Sequence, residues 1–255
     1  MKQWINSLII AGSMYSKLPM PKTDWNKENM KYVMCFFPLI GVVIGAFVYA
    51  WTYLEPWIPM SRVFWTAIVI VIPIIITGGI HMDGLLDTAD ALSSYAPKEK
   101  KLEILKDSNS GAFAVITCVV YMILSFGIWY DANKSTVLIL SAGFVLSRAL
   151  SGLAVVTFPL AKDSGFVSLF SNEAHKKLTR FVMIFYMMCC AVWMIWFDVK
   201  LGILCLLGAG ISFLYYRILC VKQFGGTTGD VAGYFLQICE LVMALFVVFG
   251  GRLWY

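Results

Sequence analysis

Three aspartates, Asp83, Asp87 and Asp90, stand in the stretch HMDGLLDTADAL (residues 81–92), directly after a long apolar run. On a helix Asp83 and Asp87 are one turn apart and Asp90 follows a turn later, so all three project from one face. Like charges at that spacing repel, and near a bilayer the repulsion is poorly screened, so something positive must compensate. Mg²⁺ suits such a cluster, because it is commonly held by a few carboxylates with substrate phosphates completing its shell. Asp107 in KDSNSGAF and Asp230 in FGGTTGD add two acids, giving a candidate metal set of Asp83, Asp87, Asp90, Asp107 and Asp230. His81 reads either as a base or as a helix-end histidine with no task. Gly84, with no side chain, leaves room for a bulky ligand to approach the backbone.

The other polar motifs suit phosphate. In FGGTTGD (224–230) the N–H groups of Gly225 and Gly226 form an anion nest with the Thr227 and Thr228 hydroxyls, or the stretch is an ordinary turn joining two helices. Asp230 then opens a helix, where the N-terminal dipole favours an acid. KDSNSG (106–111) offers Lys106 for charge, Ser108 and Ser110 for hydroxyls and Gly111 to begin the next helix, while Lys17 and Lys162 are phosphate contacts from flanking loops. Acids for a metal beside groups for phosphate point to phosphoryl transfer, in which a protein chiefly positions groups and neutralises charge.

The elements that must position these residues are apolar. The chain is 60% hydrophobic and 14% charged, against about a quarter charged in soluble domains. A span needs about twenty mostly apolar residues, and seven candidates occur, near 35–54, 62–80, 112–130, 136–160, 181–197, 201–219 and 231–249. The expected fold is therefore an all-α, polytopic membrane bundle forming a single domain over residues 1–255. Pro73 is expected to kink the second span, and Gly41 with Gly45 to mark close helix contact in the first. The stretch WINSLIIAGSMY (4–15) is read as lying on the membrane surface or capping the bundle without crossing it. The seven cysteines lie in or beside apolar stretches with no C-x-x-C spacing, and read as small packing residues.

Fifteen of the 20 Lys and Arg fall in the N-terminal segment and alternate loops, four on the other side, and Arg148 within a span. By the positive-inside rule the N-terminus is cytoplasmic, and the net charge of +5 needs no nucleic-acid partner. This orientation puts every dense polar motif at the cytoplasmic membrane surface. Arg148 and Glu240 lie at similar depths, about 18 and 15 Å along their helices. They are expected either to pair or to line a polar cavity, with Arg148 also a candidate phosphate contact. A transporter is the rival class; it predicts broken helices meeting at the midplane and repeated topology, whereas these acids cluster at the edge and no repeat is present.

HMDGLLDTADAL resembles the H-x-D-G-L-x-D-T-A-D-G signature of the cobalamin synthase (adenosylcobinamide-GDP ribazoletransferase) family. LEILKDSNSGAFAV, SKLPMP and GGTTGD resemble that family's other motifs, in the same order along nearly the whole chain. The resemblance implies a Mg²⁺-dependent, multi-pass inner-membrane enzyme. It would join adenosylcobinamide-GDP to α-ribazole or its 5′-phosphate, release GMP, and so complete cobalamin assembly. It also implies that Asp83, Asp87 and Asp90 are metal ligands, with Asp107 and Asp230 completing the site. Membrane lipid surrounds such an enzyme, and both a homo-oligomer and association with other cobalamin-assembly enzymes stay open. Ala91, Asn109 and Ala114 depart from the family's Gly, Arg or His, and Gly. The acidic signature is also similar to the D-G-x-x-A-R phosphatidyltransferases of lipid synthesis, but their Arg and paired continuation are absent here.

Overall fold

Lys134–Thr157 (α8) holds more serine and glycine than its neighbours, and it is the innermost helix. In its most apolar stretch 83% of residues are buried, against 17% for the more uniformly apolar Ala112–Tyr130 (α7). That is the ordering a bilayer imposes: small and weakly polar residues let helices approach inside, while large apolar residues face lipid. The computed structural model describes residues 2–107, 109–161 and 175–253, and the described residues form helices joined by short links.

Around α8 pack Val33–Leu54 (α3), Lys176–Phe197 (α9), Val199–Leu219 (α10) and Gly229–Leu245 (α11). The last two are each prolonged by a π-helical turn, at Cys220–Phe224 and Phe246–Gly250. Six helices are long and apolar enough to cross a membrane, or seven if a bent pair counts as one span; the protein is a multi-pass membrane protein. Helix α3 lies against α8 through Gly41 and Gly45, which face the backbones of Phe144 and Ser141. Lys2–Tyr15 (α1), about 21 Å long at the helical rise, is too short to span. It packs on α3 and on the single turn Lys27–Met30 (α2), burying Ser7, Ile10, Ala11 and Gly12 and exposing Trp4, Ile5 and Leu8.

The bent pair departs from the span expected over 62–80 with its kink at Pro73. Arg62–Thr77 (α4) runs through Pro73 without ending there, and Ile80–Ser93 (α5) leaves at 94°. The corner is Gly78–Gly79, both left-handed at φ +64° and +80°, a conformation glycine enters without steric cost. The chain therefore turns at the glycine pair rather than at the proline, and α5 packs on α11 and on α7. Lys98–Ile104 (α6) links α5 to α7. At the opposite end Arg62 ties α4 to α7 through the carbonyls of Trp129, Tyr130 and Ala132.

Candidate active site

Helix α5 carries Asp83, Asp87 and Asp90 on the face turned away from the core, and His81, Leu85 and Thr88 on the buried face. A second helix brings a fourth acid to the first two. Gly84 meets α11 so closely that an added Cβ would lie 2.7 Å from the Asp230 carbonyl oxygen and 3.1 Å from the Gly233 Cα. Gly84 is thus used for helix contact rather than to admit a ligand. Its partner belongs to a G-x-x-x-G (Gly229, Gly233), a helix-contact motif visible in the sequence and missed. Asp230, in the first turn of α11, is held beside Asp83 and Asp87 by that contact.

The electrostatics reflect the crowding. Burial first, then the charges of Asp83, Asp230 and Asp90, push the Asp87 carboxyl up to about 6. Among the described residues no three His, Cys, Asp or Glu side chains close into a metal cage. The donor set nonetheless fits a hard cation in type and in sign: oxygen ligands, excess negative charge, and too few of them to dispense with substrate oxygens.

Asp90 has a further task. Its carboxylate accepts the backbone N–H groups of Gly111 and Ala114, the latter at 2.8 Å. Gly111 is the N-cap of α7 and has no side chain to satisfy these donors, so Asp90 caps that helix from α5 and complements its dipole. Asp107 stands apart from the α5–α11 acids. It is exposed and turned back on its own loop, accepting the Asn109 backbone and side-chain N–H groups at 2.9 Å each. Those bonds hold its carboxyl below the usual range and give Asn109, where the family motif has Arg or His, a local role.

The glycine-rich turn differs from the expected anion nest, because its donors are already committed. The Gly225 and Gly226 N–H groups bond the Val221 and Cys220 carbonyls and close the π-helical turn. Thr227 N–H bonds the Pro159 carbonyl at 2.8 Å and Ala161 N–H returns to Thr227, forming a short parallel bridge with the segment after α8. The Thr227 hydroxyl is buried against Tyr216 Oη, and Thr228 caps α11 by accepting Val231 N–H. Backbone groups must be paired wherever water is excluded, so the turn serves to fix the start of α11, and with it Asp230.

His81 is also elsewhere than a base at the acids requires. It is 4% exposed, lies between the rings of Tyr15 and Phe37, and faces away from the carboxylates. Burial, with the Arg148 charge second, holds its imidazole well below the usual range. Arg148 is not a phosphate contact: it is 1% exposed and bonds Glu240 Oε1 at 2.8 Å and the Phe144 carbonyl at 2.9 Å. Lys17 lies at the α4–α5 corner, its N–H on the Ile76 carbonyl and its stem against Gly78. Lys106 is exposed beside Asp107. Ser108 and Lys162 lie outside the described residues.

One further residue at this end lies outside the sequence motifs. Lys101 of α6 is 6% exposed and donates to Gln223 Oε1 at 2.5 Å, clasping α6 to the π-helical turn that leads into the glycines. The available signal was helical spacing, since Lys101 is one turn before the buried Leu105.

Residues 7–248 match the family model described as cobalamin-5-phosphate synthase. An adenosylcobinamide-GDP ribazoletransferase of Lachnoclostridium phytofermentans is 46% identical over 96% of this chain and 94% of its own. Enzymes of the same description from Clostridium botulinum and Pseudomonas savastanoi are 31% and 30% identical, each over 95% of this chain and 96% of its own. No solved structure matches. With Asp230 brought to the acids of α5 in a multi-pass protein and the likeness running nearly end to end, the chain belongs to the cobalamin-5-phosphate synthase family, that of the adenosylcobinamide-GDP ribazoletransferases.

Proposed function

We propose that this chain joins adenosylcobinamide-GDP to α-ribazole or its 5′-phosphate at the α5–α11 acids, releasing GMP. The observation that carries the assignment of the site is the meeting of Asp83, Asp87 and Asp230 around the Gly84–Gly233 contact. Asp83, Asp87 and Asp230 would hold Mg²⁺, and Asp90, committed to the start of α7, fixes the far end of α5. Mg²⁺, when bound, supplies charge neutralisation for a diphosphate. A ribose hydroxyl oxygen of the ribazole other than the 5′ one, which is esterified in the 5′-phosphate, forms a bond to the phosphorus attached to cobinamide, and the bond from that phosphorus to the GMP oxygen breaks. With His81 turned into the core, the proton of the attacking hydroxyl falls to a carboxylate of this face. Lys17, at the α4–α5 corner, and the exposed Lys106 add positive charge that favours an anionic substrate. The basic residues concentrate in the loops of the same end, which is why we assign it to the cytoplasm.

The test is GMP release by the purified protein in lipid, with both substrates and a Mg²⁺ titration. Mg²⁺-dependent release that Asp83→Asn abolishes, in a protein that stays folded, is expected. Full activity in that variant would remove these acids from the reaction, and no release from the wild type would remove the function.

A further inference from the structure

Between α4, α7, α8 and α11 lies a cavity of about 40 Å³, within the apolar spans and away from the acids of α5. Its lining is mostly apolar, yet four polar side chains, Tyr121, Ser125, Gln237 and Glu240, face it where a membrane interior should be dry. The Glu240 carboxylate bonds Arg148 at 2.8 Å and Ser147 Oγ at 2.9 Å, both through Oε1. Tyr121 Oη donates to Gln237 Oε1 at 2.6 Å. Val69 and Pro73 of α4 line the same space. Proline has no N–H, so the Val69 carbonyl four residues earlier lacks its helical donor. In a bilayer such a freed carbonyl must find another partner, and ordered water is one of the few available.

We propose that this cavity is an intramembrane water site, joining the Val69 carbonyl, Ser125, Gln237 and Glu240. A water needs roughly 10–15 Å³ of such space and two to four polar partners, so the volume admits about three or four. Water fits better than a metal ion. Arg148 already balances Glu240, and an added cation would leave an unpaired charge in the membrane interior, which is costly. The waters bridge α4 and α7 to the ion pair that joins α8 to α11, so that four helices share one hydrogen-bonded centre.

The hydration is tested by an apolar replacement. Gln237→Met keeps side-chain length and removes polar partners, and Tyr121→Phe removes only the Tyr121–Gln237 bond. Over a hydrated cavity Gln237→Met lowers the Tm of the protein in lipid nanodiscs further than Tyr121→Phe does, by about 2–4 °C per additional interaction lost. Over a dry cavity the two lower it equally. A structure of the wild-type protein at a resolution that shows waters reads the site directly, whether or not the variants fold. Density within hydrogen-bonding distance of Glu240 and Gln237 is expected. Xenon entering the wild-type cavity under pressure would show it dry, and a Tm rising selectively with Na⁺ or K⁺ would assign a cation; either result overturns the proposal.

Discussion

Gly84→Ala is the most economical test of how the acids are brought together, because it adds one methyl group and removes no charge. The new Cβ would lie 2.7 Å from the Asp230 carbonyl oxygen, 3.1 Å from the Gly233 Cα and 3.2 Å from the Asp230 Cα, all of them backbone atoms. Ordinary contact begins at 3.4 Å, so α11 must retreat from α5 by about 0.7 Å, and no side-chain rotation relieves it. Alanine in a helix is favoured over glycine by up to about 1 kcal/mol, whereas overpacking costs about 1–3 kcal/mol. The variant is therefore slightly destabilised, yet it folds. Activity suffers more. Mg²⁺ holds its ligands at about 2.0–2.1 Å with little tolerance, and a displacement near 1 Å can cost about a hundredfold. GMP release measured across a Mg²⁺ titration should show a raised half-saturation concentration and a turnover lower by about that factor, with Tm only a few degrees down. Gly233→Ala, whose nearest atoms would be at 3.3 Å, should do the same more mildly. A Gly84→Ala protein with wild-type Mg²⁺ response would refute the idea that this contact gathers the acids.

The remaining expectations follow from the same geometry. Asp83→Asn should abolish turnover with no loss of stability, while Asp90→Ala should also lower Tm, since a helix cap is worth about 0.5–2 kcal/mol; equal Tm for the two would remove the capping role. Asp87 is raised from 3.8 to about 6, so its contribution to the stability of the metal-free protein is present below pH 3.8 and lost as pH rises through about 6. The Tm gain on adding Mg²⁺ should accordingly be larger at pH 7 than at pH 5, and an equal gain at both would separate Asp87 from the metal. Lys101→Met should lower Tm and activity by releasing α6 from Gln223, whereas Lys101→Arg should retain most of both. Thr227→Val should lower Tm without changing the KM for adenosylcobinamide-GDP, and a raised KM with unchanged Tm would return the threonine to phosphate binding.

How far the sequence reveals this site depends on whether a residue acts through its neighbours along the chain or through contacts made across it. Six of the expected spans lie within a few residues of observed helices, because lipid enforces a long apolar run that any reader can see. The acids of α5 were equally legible, their spacing being local. The corner at Gly78–Gly79 was not, since an apolar run continues past Thr77 and only the backbone angles disclose the turn. The motif FGGTTGD has the composition of a phosphate nest, yet its N–H groups are taken by Val221, Cys220 and Pro159, the last of these sixty-eight residues away. Composition reports which donors exist, and only the fold reports which are free. The same reasoning reassigns Gly84: an invitation to a ligand in one dimension, it is in three the point where α11 meets α5 and brings the charge of Asp230 near Asp83 and Asp87. A chain that must assemble negative charge without a cation in the apo state needs such a clamp, because the acids repel one another and nothing in their own electrostatics would keep α5 and α11 together.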